Sequence, residues 1–393
     1  MHSEVRLKAI EYADLRKMQM NVKSKAEKEG RREHDTGLDV IRLAAFLTVP
    51  GVHFFLNSGF YNEPVNSAAM YGMTLVRTLC MVCVPLFLLL TGYLESRREI
   101  AITGRSLWGF YRKLVGVWVI YALAAAVKII FRYIWMEPLG VRGSLSYLLS
   151  YQDYSWYVEM YLWLALMIPF LNILWRAIPD RRGRQLLLLA LLISVCVPGI
   201  VNGFGTKILP EWSDKVYPVL YYYLGAYLRE TEGHSMLSLC QDSCNKYFLC
   251  FLGGVLLNGI CVIVTSCGSA VSMDAYWSEW YSLLNAAMAV LAFRWLHSVD
   301  YSGLSERWKG ILKYLASLTY AAYLLSWIPD NLIYPWLTAR TEDMETRFFW
   351  YLPAVLSVAA LSVLLSAVIT PIGHWLAEKV CGRIEQKKPC LHN

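Results

Sequence analysis

The stretch LDVIRLAAFLTVPGVHFF, Leu38 to Phe55, is apolar enough for a membrane helix, yet it carries Asp39, Arg42 and His53. Charged and titratable groups are costly in hydrocarbon, so each one needs a reason. At ~100° per residue Arg42 and His53 fall on one helix face, roughly 16 Å apart along the axis. Pro50 has no N–H for the carbonyl of Phe46. A kink is therefore expected one turn before the histidine, leaving backbone groups to serve a polar cavity. Blander roles for Arg42 are snorkelling to the headgroups or pairing with Asp39 one turn earlier.

The rest of the chain has the same character. Of 393 residues 56% are hydrophobic and 17% charged, against about a quarter charged in soluble proteins. Fifteen Trp and 26 Tyr suit a membrane–water interface. The fold class read from this is an all-α integral membrane protein, a bundle of about ten transmembrane helices, with no nucleic-acid partner. Residues 1–37 hold nine Lys or Arg and no apolar run. They are read as a basic cytoplasmic tail and not as a signal peptide. Residues 38–379 form the membrane domain and 380–393 a cytoplasmic C-terminal tail. The ten cysteines are scattered. Cys80-x-x-Cys83, inside an apolar run, reads as two small apolar residues, and neither a metal nor a disulfide framework is expected.

Ten segments reach or approach the ~20 apolar residues a span needs: 38–57, 70–94, 111–135, 155–178, 185–203, 216–229, 246–266, 279–298, 310–338 and 349–377. The sixth is short, and Pro329 and Pro335 predict a break or an interfacial turn in the ninth. Segments 95–110 and 176–184 are rich in arginine, whereas 58–69 and 267–278 have no Lys or Arg. This alternation places both termini in the cytoplasm of a multi-pass cell-membrane protein. The connections are short and no internal repeat is visible, so chemistry must occur within the bundle.

In that orientation the polar residues form two layers. Arg42 lies near the cytoplasmic surface, level with Arg112 and Lys113 of the third span, and such a group binds phosphates by charge and hydrogen bonding. Taken alone, Arg112 and Lys113 also read as ordinary positive-inside anchors. His53 lies in the outer half with Arg77, Asp153, Trp156 and Glu159. A histidine, an arginine and carboxylates together are equipped for proton transfer and oxyanion stabilisation. Glu159 has the plainer reading of neutralising Arg77, and His53 that of a hydrogen bond between helices.

These segments resemble the acyltransferase 3 family. LDVIRLAAFLTVPGVHFF is similar to its first span, with an arginine, ten residues and a histidine. RTLCMVCVPLFLLLTGYL is similar to its second, FYRKLVGVWVIY to its third and SWYVEMYLWLALMIPFL to its fourth. YYYLGAYL and LASLTYAAYLLSW are weaker matches. The resemblance implies a ten-span membrane enzyme that moves an acyl group, usually acetyl, from acyl-CoA to a hydroxyl of a cell-envelope glycan or similar acceptor. No cofactor is implied beyond the acetyl-CoA donor. The family histidine corresponds to His53, and its arginines to Arg42 and Arg77.

The resemblance, taken with the two layers, casts Arg42, Arg112 and Lys113 as acyl-CoA-binding residues. His53 becomes the general base or a transient acyl carrier, Arg77 the oxyanion partner and Glu159 or Asp153 the orienting carboxylate. Trp156 and Asp153 are the candidates for acceptor binding. Two family features are missing: Val115 and Gly116 stand where a second third-span arginine is usual, and Ser326 where a histidine often closes the ninth-span phrase. The rival class is a transporter or flippase for a lipid-linked saccharide, which would use the same cavity without covalent chemistry.

Overall fold

In the computed structural model, residues 34–202, 207–232 and 244–386 are described, with side chains as far as 382. The chain divides into Met1–Thr36 and Gly37–Asn393. The first unit, with the expected basic tail, lies almost wholly outside the described residues. So do Cys240, Cys390 and most of the C-terminal tail. Everything below concerns the second unit.

Among the described residues of this unit are fourteen α-helices and no named strand. In chain order they are α1 (Thr36–Asn57), α2 (Ala68–Cys80), α3 (Cys83–Glu95), α4 (Gly104–Trp135), α5 (Val141–Leu149), α6 (Trp156–Ala177) and α7 (Arg181–Val201). Then come α8 (Tyr217–Glu230), α9 (Cys244–Thr265), α10 (Leu283–Ser298), α11 (Glu306–Leu325), α12 (Trp327–Thr338), α13 (Met344–Phe348) and α14 (Tyr351–Gln386). Side chains start several of them by accepting an otherwise unpaired N–H. Ser67 caps α2, Thr103 α4, Asp180 α7 and Ser282 α10.

Each of the ten segments expected to span is helical. Among the described residues seven helices are long and apolar enough to cross a membrane, or eight if the bent α11–α12 pair is one span. The shortfall from ten lies in α8 and α10, with 14 and 16 residues. At ~1.5 Å per residue they reach only ~21 and ~24 Å. The protein is a helical membrane-type bundle.

Proline sets two of its features. Pro85 cannot donate to the carbonyl of Met81, and the side-chain amide of Asn285 in α10 donates to that oxygen instead, at 3.4 Å. Pro329 likewise has no N–H for the carbonyl of Leu325. There α11 ends, and α12 leaves at 63°. The break falls at Ser326, before either proline of the segment. By contrast α1 runs helical through Pro50, and the hydroxyl of Tyr334 donates to the Pro50 carbonyl at 3.3 Å.

Helices α3 and α8 pack backbone to backbone, and glycine permits it. A Cβ at Gly225 would overlap the carbonyl oxygen of Leu89, and one at Gly92 that of Tyr222. Small residues of this kind let helix backbones approach where lipid offers no hydrophobic drive for association. The eight described cysteines, Cys80 and Cys83 among them, are all free.

Candidate active site

The second half of α1 is set in aromatic side chains. Phe54 and Phe55 are fully buried, with Phe54 edge-on to Tyr351 at 5.0 Å and to Tyr334 at 5.9 Å. This packing fixes the rotation of α1 and so aims His53 away from the cluster. The imidazole then meets a group that sequence spacing did not reveal. Its Nδ1 lies 2.9 Å from Oδ2 of Asp330 in α12. Asp330 is buried to 2% exposure four residues beyond the α11–α12 bend, and the bend carries it to the histidine. The contact is short without being aligned as a full hydrogen bond, a common state for catalytic pairs before substrate arrives.

Tyr154 covers one face of the ring, with centroids 3.9 Å apart. Its hydroxyl stands beside Asp330 and accepts from Nδ2 of Asn57 at 3.0 Å. That same amide donates to the His53 carbonyl at 2.8 Å. The Tyr154 carbonyl accepts from the hydroxyl of Tyr323 in α11. Tyr151 and Asp153 in this segment hold positive φ of 48° and 55°, a conformation that costs a residue other than glycine about 1–3 kcal/mol.

With Nδ1 turned to a carboxylate, Nε2 is the nitrogen left to face a substrate. A carboxylate behind an imidazole selects its tautomer and stabilises the imidazolium that forms when the ring takes a proton.

At the other end of α1, Arg42 opens onto a cavity of about 820 Å³. Arg112 and Lys113 line it too, so the three expected basic residues share one space. Its walls include Val49, one turn before His53, and Tyr323, which holds the Tyr154 backbone. His374 and Glu378 of α14 add polar groups there. The ion pair of Arg42 is long: Nη1 lies 4.0 Å from Oδ1 of Asp39, and a third of the arginine side chain, 33%, stays exposed.

The remaining candidates have other contacts. Arg77 is buried at 2% exposure, with Nε donating to the Tyr61 hydroxyl at 2.8 Å and Nη2 directed at the Ser278 carbonyl, 3.4 Å away. The carboxyl that feels its charge is Glu279, between α9 and α10. Glu159 is exposed on α6, and the carboxylate beside His53 is Asp330. Asp153 is engaged by Arg132, at 3.4 Å, and by the hydroxyl of Tyr147. Trp156 stacks on Trp280 at 4.8 Å.

Residues 35–370 match the acyltransferase 3 family, described as an acyltransferase domain. The chain belongs to that family. It is therefore a membrane acyltransferase. No curated protein and no solved structure matches the chain.

Asp330 left one trace in the sequence. SWIPDNLIYPW, residues 326–336, holds a single carboxylate in an apolar run, which calls for a partner as Arg42 and His53 do. Tyr154 left none, since its position depends on the fold of the segment before α6.

Proposed function

We propose that the protein transfers an acetyl or similar short acyl group from acyl-CoA to a hydroxyl of a glycan or glycan precursor. The observation that carries this reading is the pairing of two features on α1: a cavity, basic at Arg42, Arg112 and Lys113, whose wall reaches Val49, and, one turn further on, a histidine backed by a buried aspartate. A phosphate-bearing donor is held by charge at the basic mouth. Its extended arm reaches inward along the ~16 Å that separate Arg42 from His53. The mouth belongs to the cytoplasmic side, where acyl-CoA is made.

His53 Nε2 takes the proton of the acceptor hydroxyl as its oxygen attacks the thioester carbonyl. The C–O bond forms, the tetrahedral intermediate collapses with loss of the C–S bond, and the imidazolium returns its proton to the leaving thiolate. Asp330 stabilises the imidazolium in between. Trp156, stacked on Trp280, offers a flat apolar face for a sugar ring. Arg77 braces the outer wall through Tyr61 and Ser278.

The test uses membranes containing the full chain and acetyl-CoA labelled in the acetyl group. Label is expected to pass to a membrane-associated acceptor with release of free CoA, and not to pass with His53→Ala. Equal transfer by the two chains would remove His53 from the chemistry, whereas an unconsumed thioester and an unlabelled acceptor, with a saccharide moved across the bilayer, would favour the transporter reading.

A further inference from the structure

Lys128 and Arg132 sit one turn apart on α4, far from the basic mouth. The distance from Arg112 to Arg132 along this helix is ~30 Å. Lys128 has no exposed surface, and Nζ donates to the hydroxyl of Ser155 at 3.0 Å. A buried ammonium whose hydrogen-bond partner is one neutral hydroxyl needs a reason in a membrane bundle. Arg132 binds the carboxylate of Asp153 and also lies over the Trp327 ring, 4.6 Å from its centre. The residues gripped are the two neighbours of Tyr154, on either side, and the aromatic residue one turn before Asp330.

We propose that Lys128, Arg132 and Asp153 are positioning residues, a bracket that presses Tyr154 against the His53 ring and steadies the helix carrying Asp330. The segment they hold would not keep its shape unaided, because Tyr151 and Asp153 occupy left-handed backbone conformations. Two further contacts complete the grip: the hydroxyl of Tyr121 accepts from the Tyr151 N–H at 3.2 Å, and the Tyr323 hydroxyl donates to the Tyr154 carbonyl. With Tyr154 seated, one face of the imidazole is shielded and its rotation is fixed. The bracket acts through Tyr154, so it governs turnover and leaves donor binding alone.

This inference rests on the reading of His53 as the base of acyl transfer. Membranes with the full chain and labelled acetyl-CoA give kcat and the KM for donor in Asp153→Asn, Tyr154→Ala and the double variant. The expected result is a fall in kcat of about tenfold in each single variant, with KM for acetyl-CoA within about twofold. The double variant is then no slower than Tyr154→Ala alone, because coupled residues are not additive. Multiplied losses, near 100-fold in the double variant, would overturn the bracket, as would a raised KM at unchanged kcat. Should Asp153→Asn not survive extraction, Arg132→Lys keeps the charge and loses the planar guanidinium that lies over Trp327. Its kcat is expected to fall several-fold, and an unchanged value overturns the proposal.

A second readout does not depend on activity. Carbethoxylation of His53 by diethyl pyrocarbonate, followed by mass spectrometry, is expected to quicken several-fold in Asp153→Asn as the ring loses its cover. An unchanged rate counts against the bracket even if no acyl transfer is found. Faster modification with His53→Ala still fully active would keep the bracket and sink the catalytic reading.

Discussion

The two ends of α1 present polar groups in opposite circumstances. At one end Arg42 faces an open cavity, a third of its side chain exposed and its carboxylate neighbour at the limit of ion-pair distance. At the other, His53 is 12% exposed and meets Asp330 at 2.9 Å and Tyr154 ring to ring. One end is loose enough to admit a large charged ligand, the other fixed before any ligand arrives. Binding tolerates adjustable contacts, whereas proton transfer needs donor and acceptor preset within a few tenths of an ångström. The α1 helix joins the two kinds of site rigidly.

The sharpest way to break this comparison is to disturb the fixed end. Asp330→Asn leaves the volume unchanged but removes the charge that stabilises the imidazolium. Acyl transfer is expected to fall about 10²–10⁴-fold with KM for the donor unchanged. Turnover kinetics with labelled acetyl-CoA check it, and a variant at more than half of native kcat would show that His53 works without Asp330.

Next in size is the loose end. Arg42→Met together with Arg112→Met removes two charge contacts at a partly exposed mouth, together worth about 1–2 kcal/mol. The KM for acetyl-CoA is expected to rise about tenfold, with kcat within about twofold. A collapse of kcat at constant KM would mean that the cavity mouth shapes the reacting groups, and the two ends would not be separable.

Much of this arrangement was legible in the sequence, for definite reasons. Helical periodicity puts Arg42 and His53 on one face regardless of tertiary packing, and charge alternation levels Arg112 and Lys113 with Arg42. Asp330 was not legible as a partner because its approach to His53 depends on the 63° bend at Ser326. The Pro329 and Pro335 pair foretold a break, but not its direction. Arg347 shows a second limit. It counts as a loop charge, yet it is buried at 7% exposure and donates to the Ser58 carbonyl and to the carbonyl and hydroxyl of Thr341. Composition records the charge and says nothing of which way the side chain turns.

That arginine offers a third, smaller test of the contrast. Arg347 ties the C-terminal end of α1 to the segment following α12, so it braces the two helices that carry His53 and Asp330. Arg347→Met leaves buried carbonyls unpaired, at about 1–3 kcal/mol. Thermal unfolding followed by tryptophan fluorescence is expected to show a midpoint lower by several degrees, with kcat reduced a few-fold. Arg112→Met, at the loose end, is expected to leave the midpoint unchanged. Equal shifts in the two variants would remove the distinction between a braced and an open end.

The smallest effect bears on why Arg42 is in the membrane at all. If its task is to neutralise Asp39, then Asp39→Asn makes Arg42 dispensable, and adding Arg42→Met costs nothing further in donor binding. If its task is the donor phosphates, Asp39→Asn releases the guanidinium from a weak competitor. A pair this long and this exposed on the arginine side is worth at most about 1 kcal/mol, so the KM for acetyl-CoA is expected to fall by about twofold. The loss caused by Arg42→Met should then persist in full in the Asp39→Asn background. Four KM values, from the native chain, the two single variants and the double variant, decide between the two accounts. Only the second account gives the loose end of α1 a reason to be loose: a guanidinium kept near a carboxylate, without being locked to it, is free to turn toward a ligand's phosphates.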